Sequence, residues 1–92
     1  MPTIDVSCSH DAGGWICRVT VRELSGTSEH AVTVATADLR RLDPGAADPS
    51  DLVRRSFAFL LEREPKESIL RSFDLPLIGR YFAEYERVIG KT

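Results

Sequence analysis

The hydrophobic pattern of this chain changes period at Thr36, and that switch confines it to a sheet built first and helices laid over it. Before Thr36 apolar residues alternate with a period of two. Ile4, Val6 and Cys8 share one parity, Trp15, Cys17, Val19 and Val21 the next, and His30, Val32 and Val34 the third. After it they recur at helical spacing. With 92 residues there is room for one domain, and an α+β architecture of two layers is the solution that buries both patterns.

Turn residues suggest how the strands pair. Asp11-Ala12-Gly13-Gly14 tolerates positive φ, and Ser25-Gly26-Thr27-Ser28 offers Gly at the first central position of a type II′ loop. With Ala12-Gly13 as the first turn centre, Ile4 faces Val21, Val6 faces Val19, Cys8 faces Cys17 and His10 faces Trp15. With Gly26-Thr27 as the second, Val21 faces Val32 and Val19 faces Val34. Both registers collect the β-branched residues on one face, and a one-residue slip in either would scatter them. The expectation is a three-stranded antiparallel meander over about residues 3–36. Its open face carries Asp5, Ser7, Ile16, Arg18, Thr20, Arg22, Ala31, Thr33 and Ala35.

Helices should follow in the order β-β-β-α-α-α, three or four of them packed on one face of the sheet. A short one fits residues 37–42, stopped by Pro44-Gly45. Prolines at 49, 65 and 76 mark three further starts, giving expected helices at about 49–63, 65–73 and 76–89. Val53, Phe57, Leu60 and Leu61 form the stripe of the longest, widened by Leu52 and Phe59. Ile69, Leu70 and Phe73 are expected to face inward from the next. Leu77, Ile78, Tyr81, Phe82, Tyr85, Val88 and Ile89 form the last stripe, with a kink conceivable at Gly79.

Composition narrows the function classes. A 42 % hydrophobic, 28 % charged chain is ordinary for a folded domain, and a net charge of −2 provides no overall basic field to attract nucleic acid or anionic lipid. Strand-like alternation follows Met1 directly, with no apolar leader segment, and no apolar run approaches the ~18–20 residues of a membrane span. The reading is a cytoplasmic protein with no membrane association, Cys8 and Cys17 being reduced.

The chemistry-bearing residues do not assemble into a catalytic site. Cys8, His10 and Cys17 share a face, but their spacing matches no common zinc pattern, and cysteine on an apolar stripe acts as a small hydrophobe. In the expected register the two cysteines could still approach disulfide distance on oxidation. His10 lies beside Trp15 and His30 beside Glu23, about 25 Å apart, too far to cooperate. Gly13-Gly14 sits in a hairpin without a following helix to receive phosphate. Glu62/Glu64 and Glu84/Glu86 are spaced i, i+2 and do not face each other on a helix. No catalytic residue, metal site or cofactor is expected.

Arginine is the residue type best placed to form a functional surface. Arg18 and Arg22 are expected on the open sheet face, and Arg54 and Arg55 on the outer side of the long helix. Interleaved acids and the lack of exposed stacking aromatics make a mixed solvated surface the simpler reading than RNA or DNA binding.

The run from Leu52 to Leu75, with its Glu62-Arg63-Glu64-Pro65 step and Ser68-Ile69-Leu70 turn, followed by Tyr81-Phe82-Ala83-Glu84-Tyr85-Glu86, resembles a family of small bacterial proteins without an assigned activity. Ala83 stands where that family has proline, which leaves the last helix freer to run on. The strands and first long helix, residues 3–63, are also similar in topology to HicB-type antitoxin domains. That resemblance implies a protein-binding, toxin-neutralising role. The combined expectation is a non-enzymatic interaction or regulatory module. It would bind a protein partner, or a second copy, through the exposed edges of strands one and three. Weak nucleic-acid binding through Arg18, Arg22, Arg54 and Arg55 is the alternative, and a small enzyme the third.

Overall fold

The structure, a computed structural model, describes residues 2–90. Strands β1 (Thr3–Asp11), β2 (Gly14–Glu23) and β3 (Gly26–Ala35) form the expected antiparallel meander. Helix α1 (Thr36–Leu42) and the long α2 (Ser50–Leu61) follow. A 3-10 turn (Lys66–Ser68) then leads into a fourth strand, β4 (Ser72–Asp74). A second 3-10 turn (Leu75–Leu77) and the short helices α3 (Ile78–Tyr81) and α4 (Tyr85–Ile89) complete the described chain. The fold is α+β, with a mixed four-stranded sheet in the order β1-β2-β3-β4.

The β1–β2 register is the expected one, with Ile4 opposite Val21 and Cys8 opposite Cys17. The β2–β3 register is not. Leu24-Ser25 forms the turn, Glu23 pairs with Gly26, and Val19 and Val21 face His30 and Ser28. Both registers keep the same residues on the core face, so burial alone does not separate them. Ladder length does: the observed pairing runs the full ten residues of β2, whereas centring on Gly26-Thr27 would leave Gly14 to Cys17 without β3 partners. Gly26 closes the turn at φ +139°, a conformation available to glycine alone at little cost. Gly13 and Gly14 do not use positive φ. Gly14 is needed for space, since a Cβ there would lie 2.1 Å from the Val34 carbonyl oxygen.

Residues 65–73 do not form the expected helix. Pro65 and Ile69 are both extended (ψ 156° and 131°), which leaves room for one 3-10 turn between them. The backbone beyond is satisfied by the edge of β3 instead, in parallel, with Ala31 N–H donating to the Arg71 carbonyl at 2.7 Å. Thr33 Oγ1 also donates to the Asp74 carboxylate. The edge of β3 that was expected to be open is therefore occupied along residues 31–33.

The last segment breaks at Phe82 (φ −131°, ψ 99°), not at Gly79, and Ala83 does not carry the helix through. Phe82 turns its ring edge-on to Phe59, with ring centroids 5.8 Å apart. The core lies between the sheet's inner face (Trp15, Cys17, Val19, Val21, Val32, Val34) and α2, which contributes Leu52, Val53, Phe57, Phe59 and Leu60. Tyr85 is wholly buried, and its hydroxyl lies 2.7 Å from Ser56 Oγ. Tyr81 and Leu70, expected inside, are 68 % and 49 % exposed. No helix among the described residues is long and apolar enough to cross a membrane.

Candidate functional site

The four candidate arginines do not converge. Arg18 and Arg22 stand on the open sheet face, and Arg22 is paired with Asp5 at 3.1 Å. Arg54 and Arg55 belong to α2, on the other side of the sheet. Arg54 reaches Asp51 and the Ile4 carbonyl at the rim of β1. Arg55 is not an outer residue at all. It is half-buried, donating to Asp51 at 2.9 Å, to Asp43 at 2.8 Å and to the Ile89 carbonyl at 3.0 Å. It therefore ties α2 to the end of α1 and to α4, and its charge is spent on carboxylates rather than offered to a phosphate.

Cys8 and Cys17 are joined in a disulfide, a correction to the expectation of reduced thiols. Their direct opposition on neighbouring strands, with Cα atoms 4.0 Å apart, brings the sulfurs together. The His10 ring lies with its centroid 4.9 Å from that of Trp15, tilted by 38°. His30, placed opposite Val19, is about 16 Å from it by strand geometry, closer than the expected register implied yet beyond sharing a ligand. No group of three or more His, Cys, Asp or Glu among the described residues could hold a metal ion.

His30 is buried against Phe57 and bridges two segments. Its Nδ1 lies 2.8 Å from the Leu70 carbonyl and its Nε2 2.9 Å from Ser28 Oγ. A carbonyl can only accept, so Nδ1 carries the proton and donates to it, and in the neutral ring Nε2 accepts from Ser28. The ring thereby fixes the main chain at Leu70, just ahead of β4. Lys66, also buried, pins the preceding turn to the second hairpin through Glu23 at 3.1 Å, Ser25 Oγ at 3.0 Å and Glu67 at 2.6 Å. Hydrogen bonding to Glu67 holds the ammonium above its ordinary pKa, and the same contact lowers that of Glu67.

The segment these two anchors fix forms one wall of a groove of about 390 Å³ that the sequence did not announce. Its floor and walls are Leu60 from α2, Ile69, Leu70 and Phe73 from the segment entering β4, and Leu77, Ile78, Tyr81 and Phe82 beyond it, with Glu64 and Ser68 at the polar margin. The volume falls in the range of ligand pockets, roughly 300–1,000 Å³. The groove exists because the chain leaves helical geometry at Pro65 and again at Phe82, so two apolar stripes that would have closed as helices splay apart. A stronger signal could have come from Pro65 and Pro76, only eleven positions apart, which leave little length for a helix between them. No family model matches the chain, and no curated protein or solved structure matches it.

Proposed function

We propose that this chain is a non-enzymatic protein-interaction module that accepts an apolar segment of a partner protein in the groove between α2, β4 and α3. The observation that carries the reading is the exposure of Leu70 and Tyr81 at the rim of a cleft whose other walls are apolar. Large apolar side chains at the mouth of such a cleft are the residues that bury area when a partner docks. An antitoxin-like or other regulatory role is one form of this reading. Nucleic-acid binding through the arginines is supported less well, because Arg22 on the sheet face and Arg54 and Arg55 on α2 already have carboxylate partners. A cytoplasmic setting would keep Cys8 and Cys17 as thiols, so their state in freshly lysed cells bears on the compartment.

Selection of random 12-residue phage-displayed peptides on the purified protein tests the reading. The expected result is enriched, leucine- or aromatic-containing peptides that lose binding to the Leu70→Asp and Tyr81→Asp variants. Failure to enrich any peptide, or enrichment of peptides indifferent to both substitutions, overturns it.

A further inference from the structure

The sheet ends at β4, and β4 is both the edge of the sheet and a wall of the groove. In a parallel ladder alternate residues bond to the neighbouring strand. The Arg71 carbonyl accepts from Ala31, and Phe73 continues that side. Ser72 and Asp74 therefore turn main-chain groups away from β3, toward open space. Phe73 projects to the core-side face, where it lines the groove. An added strand beside β4 would lay every second side chain over Phe73 and into the apolar cleft, at spacings of about 7 Å. The groove's single charged lining residue is Glu64, which no ion pair among the described residues engages, whereas neighbouring Glu62 and Glu67 are bonded to Arg63 and Lys66.

Resting on the interaction-module reading, we propose that the occupant is an extended peptide strand of a partner protein. It adds to β4 by main-chain hydrogen bonds, alternates apolar side chains into the groove, and carries a Lys or Arg that meets Glu64. The other sheet edge fits this role less well. On β1 the Arg54 guanidinium already lies at the Ile4 carbonyl, and Ile4, Val6 and Cys8 pack against the core rather than lining this groove. Main-chain pairing provides affinity in such complexes, and pockets for alternate side chains provide selectivity.

The test uses an end-blocked octapeptide alternating leucine with threonine and ending in two lysines, titrated into the ¹⁵N-labelled full chain. Three companions are measured: the same peptide N-methylated at the amides facing β4, a side-chain-stapled helical peptide of the same composition, and one with glutamates for the lysines. Shifts at residues 70–74 and 77–82 are expected with the parent. N-methylation should weaken binding roughly tenfold, the loss of one or two hydrogen bonds. Glu64→Lys should reverse the preference between the lysine and glutamate peptides. Equal binding of the N-methylated peptide, or tighter binding of the stapled helix in the same groove, overturns the strand assignment while leaving the interaction module standing. Self-association in solution that Tyr81→Asp abolishes, with no peptide bound, replaces the partner with a second copy. The absence of any peptide binding and of self-association, together with failed phage selection, overturns both readings.

Discussion

Tyr85 and Ser56 form a buried relay whose disruption should be asymmetric. Ser56 Oγ donates to the Leu52 carbonyl at 2.8 Å, which commits its only proton, so the Tyr85 hydroxyl is the donor in the 2.7 Å contact between the two. Tyr85→Phe removes that donor and leaves Ser56 still bonded to Leu52, at a cost of about 1 kcal/mol. Ser56→Ala leaves a phenol hydroxyl buried without an acceptor, at about 2 kcal/mol. The double variant orphans no hydroxyl and should cost only about 1 kcal/mol, less than Ser56→Ala alone, for a coupling of about 2 kcal/mol. Urea unfolding followed by the fluorescence of Trp15, the chain's one tryptophan, measures all three. In thermal unfolding each kcal/mol corresponds to roughly 4–8 °C for a domain of this size.

A pH arm adds an independent sign. Burial pushes the Tyr85 pKa up to about 12, from an ordinary 10.0. Between these values the unfolded state has lost a proton that the folded state retains, so stability falls as pH rises through that window. The full loss is about 2–3 kcal/mol. Tyr85→Phe lacks it, and should change from the less stable protein at neutral pH to the more stable one near pH ~11. Additive costs in the cycle would refute the relay, and stability curves of the two proteins that remain parallel from pH 9 to 12 would refute the burial of the phenol.

Four further outcomes follow from the packing. Gly14→Ala should destabilise by about 2–3 kcal/mol or more, because the obstructing atom is main chain, whereas Gly13→Ala, with nothing within 4 Å, should be close to neutral. Thermal melts of the two variants give the comparison. Arg55→Ala should loosen the packing of α4 on α2, read as faster amide exchange at Tyr85–Ile89 with little change in the strands. Reduction of the Cys8–Cys17 bridge, which closes a separation of nine residues, should lower stability by about 2–3 kcal/mol, measurable by urea unfolding with and without dithiothreitol. Lys66→Met should leave Glu23 without its buried cationic partner and shift the amide resonances of the Leu24-Ser25 turn, an effect Lys66→Arg should reduce.

Legibility in the sequence followed the range of the interactions. Parity along Ile4, Val6, Val19 and Val21 was sufficient for the first hairpin and for the face α2 covers, because a strand's alternation is a local signal. The second hairpin exposed the limit of parity: shifting the pairing by an even number of residues keeps every valine inside, and ladder length decides. Strand β4 has only three residues, and its partner lies 41 positions away, so no local pattern marked it. Leu70 and Tyr81 misled for a related reason. Each sits at helical spacing from buried neighbours, but the spacing loses its meaning once Pro65 and Phe82 take the chain out of helical geometry. Arg55 looked like a surface cation, and only the fold shows that it, like Lys66, is a tie between segments.

The late arrival of β4 also imposes an order on folding. The meander can pair from local turns, but β3 must wait for residues 72–74 before its outer edge is covered. Closing that 41-residue span costs about 1–2 kcal/mol more in chain entropy than closing the nine-residue span of Cys8 and Cys17. A nascent or truncated chain ending before Ser72 therefore carries an uncapped ten-residue edge, Gly26–Ala35, with valines beneath it. The same three residues that terminate the mature sheet cap the middle of that edge, residues 31–33, only once they have been made.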